Sequence, residues 1–128
     1  MDIGNDGFLH LDKSLLFITQ TFCMKLMTKE LREKIPSLYS QEKVEDPIVH
    51  AKYFTPDSSW TWYAMEFDGK DTFFGYVDGI YPELGYFSLS ELESVKGPLG
   101  LKVERDLYWK PRPLSEVRQE AMRGYERK

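Results

Sequence analysis

The sequence predicts an α+β fold, an antiparallel sheet of about four strands with two or three short helices. Three observations predict it. Residues 59–67 and 72–78 are aromatic, β-rich runs flanking Asp68-Gly69-Lys70-Asp71, and Asp-Gly between such runs signals a hairpin. Ser88 followed three residues on by Glu91 forms a capping box that opens a helix. Leu114, Val117, Ala121 and Tyr125 recur at i, i+3, i+7 and i+11, which puts one apolar stripe on a C-terminal helix.

Residues 1–23 differ in character from the rest of the chain. Gly4, Asn5, Asp6 and Gly7 precede a short apolar run without a clear period, and Met24 then opens Met-Lys-Leu-Met-Thr-Lys-Glu-Leu, which has the character of a natural start. Residues 1–23 are expected to be an extension outside a single domain of residues 24–128; the alternative is an extra helix over residues 15–27 packed on that domain. Thr28 caps a short helix running to about Ile35, with Leu31 and Ile35 on one face. Pro36 ends it, because the residue before a proline is pushed out of the helical region. Residues 40–47 are a polar connection, 48–54 a strand and 55–58 a turn.

In the hairpin, a two-residue turn would set Glu66 opposite Asp71, and facing like charges are unfavourable. A four-residue loop avoids this. Either register gives the same two faces. One carries Trp60, Trp62, Ala64, Glu66, Phe73, Gly75 and Val77; the other carries Thr61, Tyr63, Met65, Phe67, Thr72, Phe74 and Tyr76. Gly79 and Pro82 mark the next turn, residues 84–89 form a third aromatic strand, and the capped helix runs through Val95 until Gly97-Pro98-Leu99-Gly100 stops it. Residues 101–109 contain a last strand with Asp106 near a bend, broken by Pro111 and Pro113. Both hairpin faces are apolar. Either helices cover both, or one is an exposed aromatic surface, and an exposed patch of that size marks a binding site.

Composition narrows the function classes. A 128-residue chain is one domain's worth and buries a core without staples. Its 15% aromatic content argues against disorder. The net charge of −4 disfavours a general nucleic-acid binder, which needs a basic footprint. The charge is uneven, however, and residues 109–128 carry +3. The lone Cys23 permits neither an internal disulfide nor a cysteine zinc site and fits a reducing, cytoplasmic setting. His10 and His50 are too far apart in sequence to suggest a histidine-rich metal site. The apolar stretch over residues 15–27 contains polar groups and comes after Asp2, Asp6 and Asp12, where a signal peptide would be basic. It is also too short to span a bilayer.

The central block carries a family likeness. Phe54-Thr55-Pro56, Trp60-Thr61-Trp62-Tyr63, Glu66-Phe67-Asp68-Gly69, Thr72-Phe73-Phe74-Gly75, Glu83-Leu84-Gly85-Tyr86-Phe87-Ser88-Leu89 and Glu104-Arg105-Asp106-Leu107-Tyr108 resemble the bacterial family known as domain of unknown function 2958. The resemblance covers about residues 24–117. It implies a small protein of plasmids, phages or integrative elements, often encoded near anti-restriction and conjugation genes. It supplies no activity and no catalytic residue.

The residues offer candidate sites, each with a plainer alternative. Glu66, Asp68 and Asp71 cluster at one hairpin end, and Glu104 with Asp106 forms a second acidic pair. Carboxylates brought together could hold Mg²⁺ or Ca²⁺, or divide acid and base roles. The plainer reading makes Asp68 and Asp71 turn formers and leaves Glu66 at a strand end in water, and it is favoured; no metal site is assigned and no cofactor is expected. Trp60 and Trp62, with Phe73 on the same face, are binding candidates, since exposed indoles stack on bases or anchor a protein partner. Core packing is favoured for them, with Gly75 across the hairpin letting an indole lie flat. Trp109, Lys110, Arg112, Arg118 and Arg123 could touch phosphate, but interleaved acids favour a solvated helix face. Neither a nucleophile elbow nor a phosphate loop is present in the sequence.

The expected function is therefore a non-enzymatic accessory or interaction protein of a mobile element with a protein partner. The alternatives are a metal-assisted enzyme on a phosphodiester, using the five carboxylates, and a single-stranded nucleic-acid binder.

Overall fold

The computed structural model describes residues 25–126, so the expected extension, His10 and Cys23 lie outside the described residues. Helix α1 is Lys29–Lys34, and the Thr28 hydroxyl accepts the Leu31 N–H at 3.1 Å to cap it as expected. Strands β1, Ile48–Val49, and β2, Ala51–Phe54, come next. They occupy the predicted strand over residues 48–54 but belong to different sheets, with His50 between them. Then come β3, Thr61–Phe67, β4, Thr72–Asp78, and β5, Pro82–Ser88. Helix α2, Leu89–Ser94, has both hydrogen bonds of the expected Ser88–Glu91 capping box. Two short strands, β6, Glu104–Arg105, and β7, Arg112–Pro113, precede the C-terminal helix α3, Leu114–Glu126.

The main sheet has five strands in the order β5-β4-β3-β2-β6, every neighbouring pair antiparallel. A second small sheet pairs β1 with β7. The fold is thus α+β, with one more strand in the main sheet than expected and a further pair beside it. Strand β6 is the part of the expected last strand over residues 101–109 that pairs, whereas β7 includes Pro113, one of the prolines expected to break the strand.

Helices cover both faces of the sheet. On one face Tyr53, Trp62, Ala64, Phe67, Phe73 and Phe87 are buried together with Ile35 after α1 and Leu92 of α2. Phe67, Phe73 and Phe87 form a stacked ladder across three strands, with centroid separations of 4.5 and 5.1 Å. Each such contact adds about 0.5–1.5 kcal/mol beyond area burial. On the other face Val49, Tyr63, Met65 and Tyr76 pack under Leu114, Val117 and Ala121 of α3, the stripe expected from sequence. The side chain of its fourth member, Tyr125, lies outside the described residues. Desolvation above all pushes the Tyr63 hydroxyl up to about 12.

One strand departs from the expected pattern. The register is Ala64 opposite Gly75, then Glu66 opposite Phe74, so Met65 is an extra residue in a β-bulge. Below the bulge the pairing is that of the four-residue loop; above it the register slips by one. The slip exchanges the faces of Glu66 and Phe67. Phe67, predicted beside Tyr63, lies in the Trp62–Phe73 core, and Glu66, predicted beside Trp62, lies on the α3 face. The exchange is favourable because it buries a phenyl ring in an aromatic ladder and removes a carboxylate from it.

Candidate functional site

The candidate carboxylates do not converge on a metal-binding group among the described residues. Asp68 Oδ1 accepts the N–H groups of Lys70 and Asp71 at 2.8 Å and of Thr72 at 3.0 Å, an Asx-type turn whose backbone bonds hold its carboxyl below the usual range. Asp71 accepts the Ser90 N–H and hydroxyl and so fastens α2 to the hairpin end. Asp106 accepts the Tyr108 N–H at 2.9 Å. Glu104 sits on the edge strand β6, opposite Phe54. Among the described residues no group of three or more His, Cys, Asp and Glu side chains is placed to hold a metal ion. Asp68, Asp71 and Asp106 each have a structural task, which is the plainer reading for the two turn aspartates.

The tryptophan pair divides. Trp62 and Phe73 are buried in the core, and only Trp60 of the three reaches solvent. The two indoles stack at 5.8 Å, 29° between planes. The glycine that makes room is Gly79 rather than Gly75: a Cβ on Gly79 would lie 2.3 Å from the Trp60 ring. Gly75 faces backbone instead, with the Tyr63 carbonyl oxygen 1.9 Å from where a Cβ would be. Trp60 stands at the mouth of a cleft of 400 Å³ bounded by Thr55, Val95 and Pro98. Of the basic end, Arg112 pairs with Glu120 at 2.6 Å and covers the Trp109 ring at 4.2 Å, and Arg118 covers the Tyr76 ring. These two cations are engaged within the fold.

A different site is assembled around Glu66, which is only 3% exposed. Its carboxylate accepts the Tyr39 N–H at 2.8 Å and the Gln41 N–H at 2.9 Å, pulling the loop of residues 36–47 onto the bulge. Gln41 completes the clasp: its amide oxygen accepts the Ile48 N–H, and its amide nitrogen donates to the Ile48 and Met65 carbonyls. Asp46, in the same loop, accepts the N–H and hydroxyl of Ser115 and caps α3. So held, the loop faces the sheet edge across a groove of 360 Å³ whose walls include Tyr39, Val44, Phe74, Leu84 and Tyr86, with Glu42 and Glu45 on the loop side. Four of those walls are exposed apolar side chains: Tyr39 at 62%, Val44 at 48%, Leu84 at 42% and Tyr86 at 57%. The Phe74 and Tyr86 rings pack against each other at a tilt of 58°, centroids 5.0 Å apart.

None of Tyr39, Val44, Leu84 or Tyr86 was a candidate from sequence. The available signal was the alternation of Leu84 and Tyr86 in the third aromatic strand, which puts both on one face. The partner wall comes from a loop some forty residues upstream, and no local pattern announces that.

Fold and site define an α+β domain in which a clasped loop and the strand that is outermost among the described residues frame an aromatic groove. Residues 18–124 match the family described as "Protein of unknown function (DUF2958)", and the chain belongs to that family. The match starts upstream of Met24 and ends beyond Val117, wider at both ends than the resemblance. No curated protein and no solved structure matches the chain. No helix among the described residues is long and apolar enough to cross a membrane.

Proposed function

We propose that this chain is a non-enzymatic interaction protein of a bacterial mobile element, working in the cytoplasm, and that it binds a protein partner through the groove beside β5. One observation carries the reading: Tyr39, Val44, Leu84 and Tyr86 are exposed together against the terminal strand of the main sheet. Scattered apolar residues are ordinary on a surface, but a contiguous set in a walled groove is characteristic of binding sites. The mobile-element setting rests on the family resemblance, and the cytoplasmic one on the lone cysteine. Net charge supports a protein over nucleic acid.

The test is recovery of partners from bacterial lysate by the tagged full chain, with and without nuclease, read by mass spectrometry. A Leu84→Lys, Tyr86→Lys double variant serves as comparison. A dominant protein that survives nuclease and disappears with the double variant is the expected result. Recovery that nuclease abolishes would move the function to nucleic acid. Recovery that ignores the double variant would remove this face as the interface.

A further inference from the structure

Strand β5 is the outermost strand of the main sheet, seven residues long, and no described strand lies on its outer side. Such an edge offers a row of backbone donors and acceptors to an extended segment, whose alternate side chains then fall on one face. On the α3 face those side chains would meet Leu84 and Tyr86 and the loop beyond them.

The loop carries an unusual residue there. Tyr39 has φ +69°, in the left-handed region that glycine and asparagine ordinarily fill. Its N–H is held by Glu66, so the buried carboxylate keeps a large aromatic residue in a conformation it would not choose. The result is a ring 62% exposed that lines the groove together with Tyr86. A glycine would serve the backbone better, so the ring itself is what the strained position presents.

The electrostatics of the groove are one-sided. Glu42 and Glu45 line it, and Glu66 lies beneath. The Tyr86 hydroxyl holds its proton to higher pH than usual, first through its side-chain interaction with Tyr39, then through desolvation, with the charges of Glu66 and Glu42 adding to it. Arg118, the cation on the wall among the described residues, is drawn over the Tyr76 ring. Aromatic faces rimmed by carboxylates attract an ammonium or guanidinium group and disfavour an anion.

We infer that the groove receives an extended basic segment of the partner protein, added along β5, with an arginine or lysine side chain seated against Tyr39 and Tyr86 and facing Glu42 and Glu45. This rests on the reading of that face as a protein interface and names the chemistry of what it takes.

The experiment is fluorescence anisotropy of the full chain with labelled peptides of alternating arginine and threonine, glutamine and threonine, or glutamate and threonine. The arginine peptide is expected to bind on the order of tenfold more tightly than the glutamine peptide, to weaken with added salt, and to bind more tightly than the glutamate peptide. Glu42→Lys with Glu45→Lys is expected to remove most of that preference. Tyr39→Gly, which relieves the backbone and deletes the ring, is expected to weaken binding while leaving the melting temperature unchanged or higher. Equal binding of the arginine and glutamine peptides, or indifference to the double charge reversal, overturns the inference. If it is overturned while Leu84→Lys, Tyr86→Lys still abolishes capture of the protein partner, the interface stands and only its basic specificity falls. If the double lysine variant also leaves capture intact, both fall.

Discussion

Glu66 shows how one side chain organises a surface. Two backbone N–H groups of the 36–47 loop end on its buried carboxylate, and its removal leaves both without that partner. Glu66→Ala is expected to destabilise the domain by about 2–4 kcal/mol, measured by urea unfolding, and to make residues 36–47 the first site of proteolysis. His50 is a second residue with a measurable consequence. Burial pushes its pKa below the usual 6.5 in a cleft shared with Glu30, Lys34, Arg105 and Asp106. The unfolded chain therefore takes up the proton first. Stability from this group is present above 6.5 and is lost as pH falls through the window below it. His50→Gln is expected to flatten the decline in unfolding midpoint between about pH 7 and pH 5 relative to the parent chain. Sequence placed Glu66 among the candidates but for chemistry it does not show here. A lone glutamate at a strand end reads as solvated, and nothing local reveals a loop some twenty-five residues earlier that seeks its oxygens.

At the scale of the element, the helices were legible because their ends are written in side chains. Thr28, the Ser88–Glu91 box and the Leu114–Val117–Ala121 stripe are local signals, and each helix lies where they place it. The hairpin was legible in position and in its lower register. Its upper faces were not, because Met65, Glu66 and Phe67 alternate acceptably in either phase and only the packing of Phe67 against Phe73 decides between them. The paired glycines of β4 and β5 separate close packing from open space. Gly75→Ala drives a methyl group into the Tyr63 carbonyl and is expected to cost about 1–3 kcal/mol or more. Gly85, directly opposite on the edge strand, has nothing within 4 Å of a new Cβ, so Gly85→Ala is expected to be neutral or slightly stabilising. Thermal melts of the two variants check the pair.

For the whole molecule, the question of which hairpin face is covered resolves to both. Helices α1 and α2 close one side, while α3 closes the other only in part and leaves the strip between the clasped loop and β5. The α+β class was readable from element signals, but the groove is a tertiary product of segments far apart in the chain. Of the two tryptophans weighed from sequence, Trp62 packs in the core as favoured, while Trp60 stays partly in water. The incomplete cover also bears on handling. Leu84→Lys with Tyr86→Lys is expected to keep the parent stability within about 1 kcal/mol in thermal melts, since both side chains are already about half in water, and to lower any self-association seen by light scattering.

The bulge at Met65 has a consequence for chain length. Losing one residue from an inner strand ordinarily turns every later side chain inside out. Here β3 carries a spare, and it lies past Ala64, where pairing with β2 has ended. Removing Met65 would leave Glu66 facing Phe74 and Phe67 facing Phe73 as they already do. The expected penalty is the packing of one methionine and one carbonyl contact to Gln41, not the loss of the fold. A relative one residue shorter at this point could keep the same architecture, and an alignment gap inside a central strand would then be no sign of a misplaced element.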